Sequence, residues 1–314
     1  MRAMFTGMAI ALCANSATAG SDQRVTSDVG GFFVIGAAYD DNISSVGILR
    51  DGEIYLNMQI ATDHGWTISG RVELEATSST DQIDEAYVTI EGDFGRFRIG
   101  QEDGAKSRIT NSVIYAPGGR VGYYDSGNAT GVVDAGAGAT AGGDAIGVFY
   151  DSSSFHGFRF GISWQPDTTV DGQTDSNEPV FIANNRVSAG IAYDTVLSNE
   201  LGLGFNAGLF DQDDQAVVWA VGGYSSYWGL RAALHYEVDG TDEIAFGASY
   251  KWDEWTIGGG IAHEKRAPDN NLLIAGWLGA TLAPGLLATM GIERHDDETG
   301  ARAIAGIGYL QFSF

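Results

Sequence analysis

The chain has 314 residues, of which 17 are Lys or Arg and 41 are Asp or Glu, and its net charge of −24 argues against a nucleic-acid partner. With 44% hydrophobic and 18% charged residues, the composition is that of a folded chain rather than a disordered one. Glycine, at 45 residues, is about twice as frequent as usual, which favours strands and tight turns over helices.

Residues 1–19 have the pattern of a secretory signal. Arg2 lies in a short basic start, residues 8–14 are mostly apolar, and Ala17 and Ala19 form a small-residue cleavage site. We expect the mature chain to begin near Gly20 and to form one domain, residues 20–314, although a buried N-terminal helix is an alternative interpretation. The single cysteine, Cys13, lies in this segment, so the exported chain would fold without disulfides.

Alternation of apolar and polar residues, the period of a β-strand, recurs along the rest of the chain, as in residues 53–60 (EIYLNMQI) and 71–75 (RVELE). Tryptophan and tyrosine lie near the strand ends, which is typical of a membrane barrel. We therefore predict an all-β fold, a sixteen-stranded antiparallel transmembrane β-barrel. Its strands are expected near residues 29–39, 51–62, 65–77, 84–91, 95–102, 144–151, 155–166, 184–194, 200–210, 215–224, 227–238, 242–250, 254–264, 271–282, 285–295 and 301–314.

The predicted connections alternate in length. Tight turns are expected at residues 63–65, 92–95, 152–154, 225–226, 252–253 and 284–285, and longer acidic loops at residues 40–50, 103–143 and 165–183. Short turns at one end and long loops at the other, with an even number of strands, are the layout of a bacterial outer-membrane barrel.

Residues 272–292 offer a competing interpretation, because 21 consecutive residues without a charge could form a transmembrane helix. Pro284 and Gly285 lie inside this stretch as a turn signal, and several further glycines would weaken a helix. Two strands joined by a turn are the favoured prediction.

Two segments carry a resemblance to a known family. Residues 84–101 (DEAYVTIEGDFGRFRIGQ) resemble the strand, Gly-x-Phe-Gly turn and strand that precede the third loop of general diffusion porins of Gram-negative bacteria, closest to alphaproteobacterial ones. Residues 309–314 (YLQFSF) are similar to the terminal strand of these porins, which ends on phenylalanine. The long third loop departs from the enterobacterial pattern, since it contains APGGR at residues 116–120 in place of Pro-Glu-Phe-Gly-Gly-Asp.

The resemblance implies a homotrimeric porin in the outer membrane, in contact with its lipid, with no cofactor and no nucleic-acid partner. Small hydrophilic solutes and ions would diffuse passively through a water-filled channel whose constriction sets the size limit and whose lining charges set ion preference. Because acids outnumber bases, we expect a modest preference for cations.

The alternation also predicts which charges face the lumen. Residues opposite the apolar set must point inward, which assigns Arg71, Arg98, Arg159, Arg186 and Arg231 to the lumen together with Glu73 and Glu75. Residues 103–143 are much longer than an ordinary connection. We expect this loop to fold into the barrel and to present Asp103, Asp125 and Asp134 opposite Arg71, Arg98 and Arg186 as the pore constriction, although these could also be solvated loop acids and routine lumen arginines.

Catalytic and metal-binding patterns are weak. The five histidines lie far apart without the spacing of a zinc site, and neither a Gly-x-Ser-x-Gly elbow nor a Walker loop occurs, so we predict no enzyme and no metal site. The acidic runs at residues 211–214 and 296–298 are most simply solvated loops, with a divalent cation as the alternative.

Two other functions stay open from the sequence. A substrate-selective channel of the same fold would share every strand pattern described above. A secreted β-sandwich or lectin-like binding protein would have no lipid-facing belt and would stay soluble without detergent.

Overall fold

We analysed a computed structural model of the chain. It describes residues 25–41, 45–77, 83–110, 145–168, 184–197, 200–213, 215–238, 240, 242–266, 269–296 and 302–314. The predicted secretory segment, residues 1–19, and its cleavage site before Gly20 lie outside the described residues.

The described chain is almost entirely strand, and each of the sixteen predicted strands overlaps one strand of the structure. The strands are β1 Val25–Asp40, β2 Ser45–Ala61, β3 Thr67–Glu75, β4 Ile83–Gly92, β5 Gly95–Glu102, β6 Ala145–Asp151, β7 Phe158–Gln165, β8 Arg186–Val196, β9 Gly202–Gln212, β10 Val218–Tyr227, β11 Leu230–Val238, β12 Asp242–Trp252, β13 Trp255–Arg266, β14 Asp269–Ala283, β15 Leu286–Asp296 and β16 Arg302–Ser313. A short helix, α1 Ala105–Ile109, follows β5. The all-β prediction is confirmed.

The strands form one closed antiparallel barrel in chain order. β1 closes it by pairing with β2 on one side and β16 on the other, for example Val34 with Gln311. At the end of this seam the Phe314 N–H donates to the Gly31 carbonyl at 3.1 Å, and the Gly31 N–H donates to the Phe314 carbonyl at 3.2 Å. Closure gives every strand a paired neighbour on both sides, the condition for a sheet to lie within lipid.

Side chains divide sharply between the two faces of the barrel wall. In β8, Arg186 and Ser188 point into the lumen and are buried, while Val187 and Ile191 alternate with them on the outside and are 42% and 50% exposed. The same alternation places large apolar residues on the outer face of the other strands. An exposed apolar outer face around a polar interior is the pattern of a barrel whose solvent outside is lipid.

Aromatic rings form a belt around one end of the barrel, where the chain turns tightly and where Phe314 lies; we call it the turn end. Trp66 contacts Phe94 with ring centroids 5.6 Å apart, and Phe97 contacts Tyr150 at 4.7 Å. Tyr227 and Trp228 stack at 5.4 Å on the far side. Amphipathic rings at this height mark the boundary between hydrocarbon and water.

The opposite end, which we call the loop end, differs from the prediction. The prediction of a long loop at residues 40–50 was wrong, because β1 and β2 remain paired as far as Asp40 and Ser45. The turn expected at residues 225–226 was also misplaced: β10 runs on to Tyr227, and the turn is formed by Trp228 and Gly229, both at positive φ. Length asymmetry between the two ends is therefore concentrated in two connections, residues 103–144 and 166–185.

The uncharged stretch at residues 272–292 lies in two antiparallel strands, β14 and β15, as favoured from the sequence. Pro284 and Gly285 form the turn between them, with Gly285 at φ 75°, where an L-residue would be strained. Among the described residues, no helix has the length and hydropathy needed to cross a membrane.

Deletion of Phe314 is expected to slow closure of the barrel. The residue supplies both terminal hydrogen bonds of the seam, and its ring stacks on Phe33 at 6.0 Å. The folded fraction, measured as the heat-sensitive band shift on gels during refolding into detergent, should rise more slowly than in the intact chain. Leu310→Ala, which trims an exposed outer residue of the same strand, is the matched control. Equal refolding rates for the deletion and the intact chain would contradict this role.

Candidate permeation pathway

The helix α1 lies inside the barrel, against the inner wall formed by β7, β8 and β9. Three inward glycines make room for it. Gly161, Gly190 and Gly208 are cross-strand partners in one row. A Cβ atom at position 190 would lie 2.6 Å from Ile109 Cβ, and one at position 208 would lie 2.9 Å from Lys106 Cγ. The glycine row thus brings the helix closer to the wall than any side chain would allow.

Two serines beside the glycine row hold the start of the helix. The backbone N–H groups of Ala105 and Lys106 donate to Ser163 Oγ at 3.0 Å and to Ser188 Oγ at 2.7 Å. These N–H groups belong to the first turn, where a helix has no internal acceptors. Gly104, at the N-cap, has no side chain to supply one. The barrel wall therefore caps the helix from outside it.

An acid on β6, next to the wall of β7, β8 and β9, connects α1 to β5 and β6. Asp151 accepts hydrogen bonds from Arg108 Nη2 at 2.8 Å and from Arg98 Nη1 at 3.0 Å, one on each carboxylate oxygen. Arg98 also approaches Glu102 at 3.4 Å. Since charged hydrogen bonds are stronger than neutral ones, this network joins the helix, β5 and β6 into one unit.

The structure places four of the six predicted constriction residues. Arg71 faces the lumen from β3, forms a salt bridge with Glu73, and lies 4.2 Å from the Tyr55 ring centroid. Arg98 belongs to the Asp151 network. Arg186 is buried at the loop end of β8, where its guanidinium donates to Gln212 at 2.9 Å. Asp125 and Asp134 lie outside the described residues, within residues 111–144.

Asp103 begins the inserted segment, directly before α1. Its backbone carbonyl accepts a hydrogen bond from Arg108. Burial raises the pKa of the Asp103 carboxyl above its ordinary value, while the positive charge of Arg108 opposes that shift. Asp103 therefore lies close to the base of the helix and to its arginine.

Further lumen acids form two groups. Glu53, Glu75 and Asp84 bring carboxylate oxygens within 4.8 Å of one another on β2, β3 and β4, and Tyr55 donates to Glu53 at 2.7 Å. The second group is a row across three neighbouring strands, because Glu237 pairs in register with Glu243 and Glu243 with Glu264. Glu264 accepts a hydrogen bond from Asn271 at 3.2 Å.

Sequence reasoning missed the residues that seat α1, namely Lys106, Arg108, Asp151, the two serines and the glycine row. The glycines did carry a usable signal. All three fall at inward positions of their alternating strands, where a pore lining would otherwise be polar. Recognising them as one row required the strand register, which periodicity alone does not give.

Comparison with known proteins decides the family. A sequence model of the Gram-negative porin family matches residues 6–277. The chain belongs to the Gram-negative porins. It is therefore an outer-membrane porin, and its lumen is a channel, as the resemblance of residues 84–101 implied. No curated protein sequence matches the chain significantly.

Solved porin structures share the fold at low sequence identity. An anion-selective porin from Comamonas acidovorans has 13% identity and a TM-score of 0.66, covering 92% of this chain and 100% of that one. The trimer form of OmpT from Vibrio cholerae has 12% identity and a TM-score of 0.68, covering 92% and 99%. A mutant porin from Rh. blastica has 12% identity and a TM-score of 0.64, covering 92% and 100%.

Replacing Gly190 by valine is expected to push α1 away from the wall and into the passage. The new side chain would overlap Ile109, and overpacking of this kind costs about 1–3 kcal/mol. Unitary conductance in planar bilayers should fall, because the displaced helix narrows the lumen. Gly276→Val is the matched control, since the nearest atom to its Cβ, the Gly258 carbonyl oxygen, is 3.9 Å away. A conductance for Gly190→Val equal to that of the control would show that the helix does not depend on the glycine row.

Proposed function

We propose that this porin passes small hydrophilic solutes and ions by passive diffusion, with a modest preference for cations, and that it performs no catalysis. The observation that carries the proposal is the pairing of charges along the lumen. Basic groups near α1 are neutralised by acids, as in the pairs Lys106–Glu237 at 2.9 Å and Arg108–Asp151 at 2.8 Å. Among the described lumen residues, further acids lie outside these pairs, as at Glu243 and Glu264.

The clearest lumen acids outside these ion pairs lie on β12 and β13. Glu243 and Glu264 are adjacent on the inner wall, and neither forms a salt bridge with any residue that the structure describes. Like charges at directly opposed positions repel each other, and a mobile cation near them relieves this repulsion. A stretch of wall with unneutralised acids raises the local cation concentration and lowers that of anions.

We also propose that the segment beginning at Asp103 forms the constriction, with Asp103, Asp125 and Asp134 on the loop and Arg71, Arg98 and Arg186 on the wall. Support comes from α1, which carries the chain into the lumen immediately after β5. Arg71 is the most accessible of the three wall arginines, with 32% of its side chain exposed, so its charge should act on passing ions most directly.

Assembly and export complete the proposal. We propose a homotrimer, in contact with outer-membrane lipid, because the fold is shared with a Vibrio cholerae outer-membrane protein whose structure is a trimer form. We propose further that residues 1–19 direct export and are removed before Gly20, leaving residues 20–314 as the barrel.

Measuring the ion preference distinguishes a cation-preferring channel from an anion-preferring one. The distinction matters because one structural relative is an anion-selective porin. Under a potassium chloride gradient the reversal potential should have the cation-selective sign, and it should be larger around 0.1 M salt than at 1 M. The Debye length shortens from about 10 Å to about 3 Å between these concentrations, so distant acids act only in dilute salt. A reversal potential of anion-selective sign in dilute salt would contradict the proposal.

Variants of the lumen acids and variants of the lumen arginines should shift the reversal potential in opposite directions. Glu243→Gln with Glu264→Gln removes the unneutralised acids and should lower cation preference. Arg71→Ala with Arg98→Ala leaves Glu73 without its arginine and Asp151 with Arg108 alone, and should raise cation preference, with a larger conductance. Glu254→Gln, an exposed change in the turn between β12 and β13, should leave both unaltered. If the arginine double variant keeps the parent conductance and selectivity, these residues do not belong to the constriction.

A further inference from the structure

A buried ion pair connects α1 to a strand outside the part of the wall on which the helix packs. Lys106 Nζ lies 2.9 Å from Glu237 Oε1, and the two side chains are only 1% and 2% exposed. The helix itself packs on the wall from β6 to β9, whereas Glu237 lies on β11. The long lysine side chain therefore extends the attachment of the inserted segment across two more strands.

Glu237 is held in place to receive the lysine. His235, two residues earlier on the same inward face, places its Nε2 3.3 Å from the second carboxylate oxygen, Glu237 Oε2. The Lys106 side chain also contacts the wall, since its Cγ lies over Gly208 and its ammonium is 5.8 Å from the Phe210 ring centroid. Each partner thus has contacts of its own in addition to the ion pair.

The surroundings make the two charges depend on each other. Glu243 is the cross-strand neighbour of Glu237 and is itself buried, with one carboxylate oxygen that has no hydrogen-bond partner. Lys106 forms its ion pair with Glu237, the first of these two acids. Loss of either member of a buried pair leaves an uncompensated charge, which is far less favourable than loss of both.

We infer that Lys106 and Glu237 are positioning residues that fix the inserted segment and so give the channel one defined width. This inference rests on the proposed role of that segment as the constriction. With the pair intact, α1 is attached at its start by the serines, along one side by Asp151, and across the lumen wall by Glu237. With the pair broken, the buried charge favours positions of the helix in which water reaches it, and the passage width varies.

Single-channel recording in planar bilayers tests the inference. Lys106→Met and Glu237→Gln should each replace the single unitary conductance by several levels with increased open-channel noise. Their effects should not be additive, because both break the same interaction. The charge exchange, Lys106→Glu with Glu237→Lys, should restore a single level, since the pair is re-formed with reversed sign. An effect of lumen charge alone would change the conductance in opposite directions in the two single variants, because one loses a cation and the other an anion.

A matched control breaks another ion pair of the lumen that does not touch α1. Arg159 and Asp194 lie 2.9 Å apart and are 45% and 38% exposed, so Arg159→Met and Asp194→Asn, each made alone, should retain a single conductance level. The heat-sensitive band shift confirms that each variant is folded before recording. A single parent-like level in both folded single variants would overturn the inference while leaving the proposed constriction intact. Absence of any conductance steps in the parent protein would instead refute the proposed function.

Discussion

Every feature of this porin depends on the hydrogen bonds of its backbone being satisfied within one closed sheet. Hydrocarbon offers no partner to a free N–H or carbonyl, and the β1–β16 seam removes the last two edges of the sheet. Once the sheet is closed, each strand has one face toward lipid and one toward water. Apolar and polar residues must then alternate, and the lumen becomes a wall on which charges can be placed.

The glycine row shows how this wall receives an inserted helix. A barrel lined by ordinary side chains would keep α1 several ångströms from the backbone, whereas Gly161, Gly190 and Gly208 let Lys106 and Ile109 lie directly on it. The hydrogen bonds from the first turn then reach Ser163 and Ser188. Burial of the helix follows, and with it the burial of Lys106, which is tolerated because Glu237 compensates its charge.

The strands could be predicted from the sequence because the two environments of the wall impose a period of two on every one of them. The predicted turn positions were less accurate where the local residues do not determine the turn. Ser225 and Ser226 have turn propensity, yet they remain paired with Leu203 and Gly202 in β9. The position of α1 on the wall could not be predicted, since it depends on hydrogen-bond partners 43 to 131 positions apart that meet only through the strand register. Net charge likewise gave no sign that Arg98 and Arg108 share Asp151.

In the proposed function, a fixed helix narrows an otherwise open, water-filled barrel. The most direct test is the swelling rate of liposomes containing the purified protein in isosmotic solutions of neutral sugars of increasing size, since uncharged solutes report width without electrostatics. Swelling should be rapid with the smallest sugars and should fall steeply as solute size approaches that of the constriction. Rates that show no dependence on size across the series, or no swelling above that of protein-free liposomes, would contradict it.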